Sequence, residues 1–219
     1  MESIITLESE LRVLEVDPKI IVEKITSLGG KKLFDGVLDT RLFISNALEG
    51  EPRKIRLRHY KGLYYIYINA TGSAITKTVD YTERVVKTKL PRQEDNGNVP
   101  APRRYSEKIE CIYHGNSIDE LSREYRALGI DEHTRDMRNR TSYILESLVR
   151  FDLDEFTVTR ELGQRALPLM LEVETPDDSI TRDAIQKLGF SFDEELSPGF
   201  KKVNNFTLRQ IFDYYSRQS

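Results

Sequence analysis

The chain has 219 residues, 38% hydrophobic and 32% charged, with 33 basic against 36 acidic side chains and a net charge of −3. That length suits one large domain or two small ones with a real core, and the near balance of signs leaves no basic footprint for nucleic acid. The single cysteine, Cys111, excludes an internal disulfide and a cysteine-based zinc site, and no apolar run approaches the ~18 residues of a membrane span.

Residues 3–15 alternate as a strand does. Asp17-Pro18 opens a helix with Pro at its first position and Ile20, Ile21, Ile25 and Leu28 along one face, stopped by Gly29-Gly30. Residues 31–45 return to extended character, and 45–52 read as a loop. Segments 53–60, 62–70 and 82–90 predict strands rich in Tyr, Ile and Val. Residues 91–102 (PRQEDNGNVPAP) predict a mobile loop, and 104–114 a strand. Ser117 caps a helix carrying Ile118, Leu121, Tyr125 and Leu128 and stopped by Gly129. Strands follow near 134–147, 148–158 and 168–174, then a helix over 177–188 ended by Gly189 and a short amphipathic helix over 206–215. About eight strands with helices between and after them predict an α+β fold, an antiparallel sheet or closed barrel with flanking helices rather than βαβ units. Residues 1–219 read as a single domain. The first residues lack the basic and apolar regions of a secretory leader, so a cytoplasmic protein with no membrane partner is expected.

The charges are patterned. Glu8-Ser9-Glu10-Leu11-Arg12 sets two carboxylates and a guanidinium on one face of a strand, with Leu7, Leu11 and Val13 on the other. Lys54, Arg56 and Arg58 alternate with Ile55 and Leu57, Lys87 and Lys89 flank Thr88, and Arg138 and Arg140 precede Tyr143. Asp152 and Asp154 flank Leu153, and Glu172 and Glu174 flank Val173. One such pair is what any solvated sheet face carries. Like charges at i and i+2 repel, however, so this many on equivalent faces need counter-charges from each other or from ligands. A barrel with a charged lumen and an apolar, helix-covered outside reconciles the pattern. Its basic strands would hold phosphate oxygens, for which Arg offers planar bidentate bonding and Lys a point charge. Its carboxylates would hold a hard divalent cation, Mg²⁺ or Mn²⁺.

In order along nearly the whole chain, these segments resemble the CYTH domain, the triphosphate tunnel metalloenzymes that include class IV adenylyl cyclases and thiamine triphosphatases. Glu8-x-Glu10-x-Arg12 is similar to the ExExK signature, Ile55-Arg56-Leu57-Arg58 to the LRxR strand, and residues 86–91 (VKTKLP) to the lysine-bearing TxK strand. Residues 104–110 (RYSEKIE) resemble the acidic RxExE strand, and Arg138-x-Arg140-x-x-Tyr143 the KxRxxY strand. Asp152-Leu153-Asp154 and Leu171-Glu172-Val173-Glu174 are similar to the late LD and EIE segments. The resemblance implies an eight-stranded antiparallel barrel forming a tunnel. It also implies an enzyme that cleaves a triphosphate, or cyclises ATP to cyclic AMP, with Mg²⁺ or Mn²⁺. By motif position, Glu8, Glu10, Asp154, Glu172 and Glu174 would bind metal, Asp152 sharing their parity at a less diagnostic position. Arg12, Arg56, Arg58, Lys87, Lys89, Arg138 and Arg140 would bind substrate, and Glu10, Arg12 and Lys87 would serve catalysis. The partner is a triphosphate-bearing small molecule: inorganic triphosphate, thiamine triphosphate or a nucleoside triphosphate. Binding without turnover stays open, and a homodimer is compatible with the family.

The chain also departs from that pattern. Arg12 stands where the signature has lysine. Glu107 and Glu110 are spaced by three, so a regular strand cannot send both to one face, and Glu107 is the expected one. Lys87 and Lys89 share a face and stay alternatives, while Lys54 at a strand entrance reads as solvated. Lys201 and Lys202, the candidates for a late lysine used by some members, fall in a loop-like stretch and read as exposed. His59, His114 and His133 lack ligand spacing. Tyr60, Tyr64, Tyr65 and Tyr67 read as barrel wall, and Ser142 has no His/Asp arrangement for nucleophilic catalysis.

Overall fold

A computed structural model describes residues 4–45, 53–60, 63–69, 84–89, 107–113, 117–127, 131–159 and 167–218. The loop expected at 91–102, the helix stop at Gly129 and all but Ser45 of the loop expected at 45–52 lie outside these residues. The elements are β1 (Ile4–Leu14), α1 (Pro18–Ser27), β2 (Lys31–Ser45), β3 (Arg53–Tyr60), β4 (Leu63–Asn69), β5 (Arg84–Lys89), β6 (Glu107–Tyr113) and α2 (Ile118–Ala127). They continue with β7 (Asp131–Leu145), β8 (Val149–Thr159), β9 (Met170–Thr175), α3 (Asp178–Lys187), β10 (Glu195–Ser197), β11 (Phe200–Lys201), β12 (Val203–Asn204) and α4 (Leu208–Ser216). This is an α+β fold built on a mainly antiparallel sheet. No described helix is long and apolar enough to cross a membrane. The chain forms two compact units, Met1–Leu7 with Leu38–Asp136, and Glu8–Val37 with Met137–Ser219.

In the first unit the strand order is β2-β3-β4-β6-β5. Its register puts Leu42, Arg56, Tyr67 and Glu110 in one cross-strand row, and Lys54, Asn69, Lys108 and Lys87 in the next. Glu107 pairs with Thr88 and takes the opposite parity. The expectation of Glu107 for the acidic strand is therefore corrected at the level of register: pairing runs unbroken over these residues, and Glu110, not Glu107, falls in the row of Arg56. Phe43 and Leu57, of the other parity, are fully buried. Asp39 on β2 accepts hydrogen bonds from Arg41 Nη2 at 3.2 Å and from Arg135 Nη2 at 2.8 Å. Arg41 Nη1 also reaches Ser122 Oγ at 3.2 Å and Asp119 Oδ1 at 2.7 Å, pinning α2. Ser117 caps that helix, its Oγ accepting from the Glu120 amide at 3.0 Å.

In the second unit β1 lies between β12 and β9, β9 pairs β8, and β8 neighbours β7. Alternation does the sorting. Leu11, Val13, Phe151, Leu153, Leu171 and Val173 turn to a core closed by Ile21, Ile25, Ala184 and Ile185 of α1 and α3. Tyr143 joins this core, being of opposite parity to Arg138 and Arg140. A second cluster of Leu14, Phe156, Met170, Ile211 and Phe212 seats α4.

Helix ends follow local chemistry. The Asp17 carboxylate accepts from the Lys19 and Ile20 amides, and Asp177 does the same for Ser179 and Ile180. Gly29 (φ +93°) and Gly189 (φ +82°) take the left-handed conformation past α1 and α3. The expected apolar face of α1 is too broad: Ile21 and Ile25 are buried, whereas Ile20 and Leu28 are 50% and 38% exposed. The i, i+4 pair Ile21 and Ile25 is buried against the core, with the partly buried Val22 beside it. Phe206 precedes α4, whose N-cap is Thr207 in a reciprocal capping box with Gln210. The short β10, β11 and β12 replace the loop expected around Lys201 and Lys202; two or three residues are too few to show alternation. The β7–β8 connection is a tight loop, Glu146–Leu148, with Glu146 and Ser147 at φ +52° and +59° and the Leu148 amide donating to Leu145 O at 3.0 Å.

Candidate functional site

The charged residues of the second unit gather on the sheet face opposite its core. The β1–β9 register sets Glu10 opposite Glu174 and Arg12 opposite Glu172. The β8–β9 register continues both rows, with Arg150 opposite Glu174 and Asp152 opposite Glu172. One row thus reads Glu10, Glu174, Arg150 and the next Arg12, Glu172, Asp152. Two carboxylates in direct opposition repel, and Glu10, Glu172 and Glu174 bring one oxygen each to within 4.8 Å of one another.

Arginines of β1 and β7 knit the rest together. Arg12 Nη2 donates to Glu172 Oε1 at 3.0 Å and is also ion-paired with Glu10. Arg12 Nη1 donates to the carbonyl of Phe206 at 2.7 Å. Arg140 grips Asp154 with Nε and Nη2, both at 2.6 Å, and Asp152 with Nη1 at 2.5 Å, while Nη2 also reaches Glu172 at 3.3 Å. Arg138 Nη1 donates to Asp154 at 2.6 Å with its guanidinium over the Phe156 ring. Ser142 Oγ and Arg150 Nε both donate to Asp152 Oδ1, at 2.6 and 3.0 Å.

Arg140, Asp154 and Asp152 titrate away from their ordinary values. Burial works against the Arg140 charge, but Asp154 and Asp152 outweigh it and raise its pKa well above the usual guanidinium range. Burial likewise opposes the Asp154 carboxylate, yet Arg140 and Arg138 hold its pKa below normal. Burial pushes the Asp152 carboxyl up against the pull of Arg140 and Arg150, with Glu174 and Asp154 adding to the rise.

The structure therefore brings together Glu10, Arg12, Arg138, Arg140, Asp154, Glu172 and Glu174, the expected site residues of the second unit whose side chains are described. Asp154 stands outside the carboxylate trio with both oxygens bonded to arginines. Glu8 lies on β1, and its side chain is outside the described set, as are those of Arg56 and Arg58 on β3 and Lys87 and Lys89 on β5. Lys201 and Lys202 are half-buried rather than exposed, Lys202 lying over the Phe190 ring and 3.9 Å from Glu194. Sequence reasoning missed Arg150, although Arg150-x-Asp152-x-Asp154 carries the same alternation. Its side chain is 29% exposed, against 3%, 4% and 7% for Arg138, Arg140 and Arg12, so it is the site's accessible guanidinium among the described residues. Sequence reasoning also missed the Phe206 carbonyl, because a backbone acceptor leaves no mark in a side-chain pattern.

No family model matches the chain, and no curated protein sequence does. Solved structures do. The PH1012 protein from Pyrococcus horikoshii OT3 matches with a TM-score of 0.52 at 17% identity, over 89% of this chain and 98% of that one. A conserved hypothetical protein from Pyrococcus furiosus matches with a TM-score of 0.56 at 11% identity, over 93% and 99%. A "putative adenylate cyclase" from Vibrio parahaemolyticus matches with a TM-score of 0.56 at 8% identity, over 95% and 98%. At such identities the likeness is one of fold.

Proposed function

Because the chain has the fold of CYTH-type proteins, we propose that it is a divalent-cation-dependent phosphohydrolase acting on a triphosphate-bearing small molecule. The convergence of Glu10, Glu172 and Glu174 beside buried guanidiniums carries this reading. Three carboxylate oxygens are the hard donors that Mg²⁺ and Mn²⁺ take, and a dication relieves the Glu10–Glu174 opposition. Glu8, two residues before Glu10 on β1, completes the ligand candidates. Asp154, held by Arg138 and Arg140, acts as their anchor in the state described. A cation bound at the trio would draw charge from phosphate oxygens and acidify a water.

The chain's own residues do the rest. Arg12 neutralises Glu172 and would meet a phosphate oxygen as its present acceptors yield, and Arg150 offers an accessible guanidinium at the end of its row. Arg138 and Arg140 would meet phosphate as their carboxylate partners yield. The reading includes the family's closed eight-stranded barrel, in which Arg56, Arg58, Lys87 and Lys89 complete the phosphate grip and Lys87 assists catalysis. A cytoplasmic homodimer belongs to the same proposal.

The test is phosphate release from inorganic triphosphate and from ATP with Mn²⁺ or Mg²⁺. Release is expected to disappear with a chelator and to fall to background in Glu10→Gln and Glu174→Gln. Release persisting in both variants would sink the carboxylate mechanism. Cyclic AMP made from ATP would assign the cyclase reaction, and tight triphosphate binding without turnover would assign a binding module.

A further inference from the structure

We infer that the backbone carbonyl of Phe206 is a positioning group for Arg12, and that the segment from Phe200 to Tyr214 thereby sets how the carboxylate trio is balanced. The Arg12 guanidinium is a fork with one tine on each side: Nη1 donates to Phe206 O at 2.7 Å, and Nη2 to Glu172 at 3.0 Å. A lysine ammonium is a single point charge and does not span two such acceptors in a fixed plane. With Nη1 tied to the carbonyl, the guanidinium cannot turn wholly onto Glu10 and Glu172.

Phe206 is itself held by two contacts, each braced in turn by a further one. The Phe206 amide donates to Asn204 Oδ1 at 3.0 Å, and Asn204 sits directly opposite Arg12 in the β1–β12 ladder. Asn204 Nδ2 in turn donates to Lys201 O at 3.0 Å. The Phe206 ring stacks on Phe200 at 4.9 Å, and Phe200 stacks on Tyr214 of α4 at 3.7 Å and 6°. Arginine at position 12 and the aromatic stack thus form one device.

The experiment uses the full chain labelled with ¹⁵N-arginine, the Arg12 resonances being assigned by their loss in Arg12→Lys. Arg12 Nε is buried with no hydrogen-bond partner among the described residues, so a change of seat registers there. Asn204→Ala is expected to move the Arg12 Nε–H signal while those of Arg138 and Arg140 stay in place. The same variant should weaken Mn²⁺ binding about tenfold, the usual scale for a group that orients a ligand. That loss should vanish when position 12 is lysine. Phe200→Leu, which keeps apolar volume and removes the stack, supplies the same readouts should Asn204→Ala not fold. An unmoved Arg12 signal in either folded variant overturns the inference, as does an equal Mn²⁺ loss with Arg or Lys at position 12. The Mn²⁺ arm rests on the proposed function, whereas the spectral arm does not. A wild-type chain that shows the spectral coupling but releases no phosphate overturns the hydrolase reading and supports the positioning role.

Discussion

Among the described residues two charge clusters stand out, one half-exposed and one buried, and they are built on different balances. In the first unit, Asp39 and Asp119 face Arg41 and Arg135, two acids against two bases, with each acid bonded to a base. Arg41 bonds and charge pairing hold Asp119 below its ordinary pKa, and Asp119 and Asp39 raise Arg41 despite its burial. In the second unit, Glu10, Asp152, Asp154, Glu172 and Glu174 face Arg12, Arg138, Arg140 and Arg150, and two of the acids stand in opposing register. The first cluster closes on itself and pins a helix. The second has one more acid than base among its described residues, and under the proposed function that excess, where three carboxylates meet, is the place for a cation.

The comparison breaks most visibly at Asp154. Asp154→Asn leaves two buried guanidiniums without their shared carboxylate and should cost about 3–5 kcal/mol in urea unfolding. Because the folded-state pKa of Asp154 is depressed, its contribution is complete above the unfolded carboxylate value and is lost as pH falls through the folded one. Wild-type stability should therefore drop in acid with a slope that the asparagine variant lacks; equal slopes would refute the assignment. Asp39→Asn should cost about 2 kcal/mol through lost charge-assisted bonds, with Mn²⁺ affinity unchanged by calorimetry. A large Mn²⁺ effect there would erase the distinction between the clusters. Glu174→Gln should change metal-free stability by less than ~1 kcal/mol, since relief from Glu10 offsets the lost opposite charge across the ladder from Arg150. It should nonetheless abolish the rise in Tm that Mn²⁺ gives the wild type. Smallest is Asp119→Ala, whose exposed carboxylate should contribute no more than about 0.5 kcal/mol; a loss several times larger would make α2 docking depend on that pair.

Much of this was legible in the chain, for reasons that can be named. Strand alternation showed Glu10 with Arg12, Arg138 with Arg140, and Glu172 with Glu174, because a period of two is imposed by the backbone. The helix starts at Asp17-Pro18 and Ser117 were visible because such caps act within three residues. What escaped was set by partners distant in sequence. Parity placed Asp154 on the charged face but did not say that arginines, not the carboxylate trio, would take its oxygens. Glu107 against Glu110 turned on which residue pairs with Tyr67, a matter of register. Arg150 and the Asp39–Arg41 pair alternated as plainly as the others, yet mixed signs hid them from a search for like charges.

The three-residue loop Glu146–Leu148 has a consequence for how this protein can vary. Ser142 meets Asp152, Arg140 meets Asp154 and Arg138 covers Phe156, each step of two along β7 matched by two back along β8. The loop therefore works as a reading frame for the hairpin. One residue inserted or deleted there would present Asn139 and Thr141 to the aspartates and turn Arg138 and Arg140 toward the core side. Descendants of this gene are free to exchange Glu146 or Ser147 for asparagine or glycine, which suit the left-handed conformation better, but not to change the loop's length.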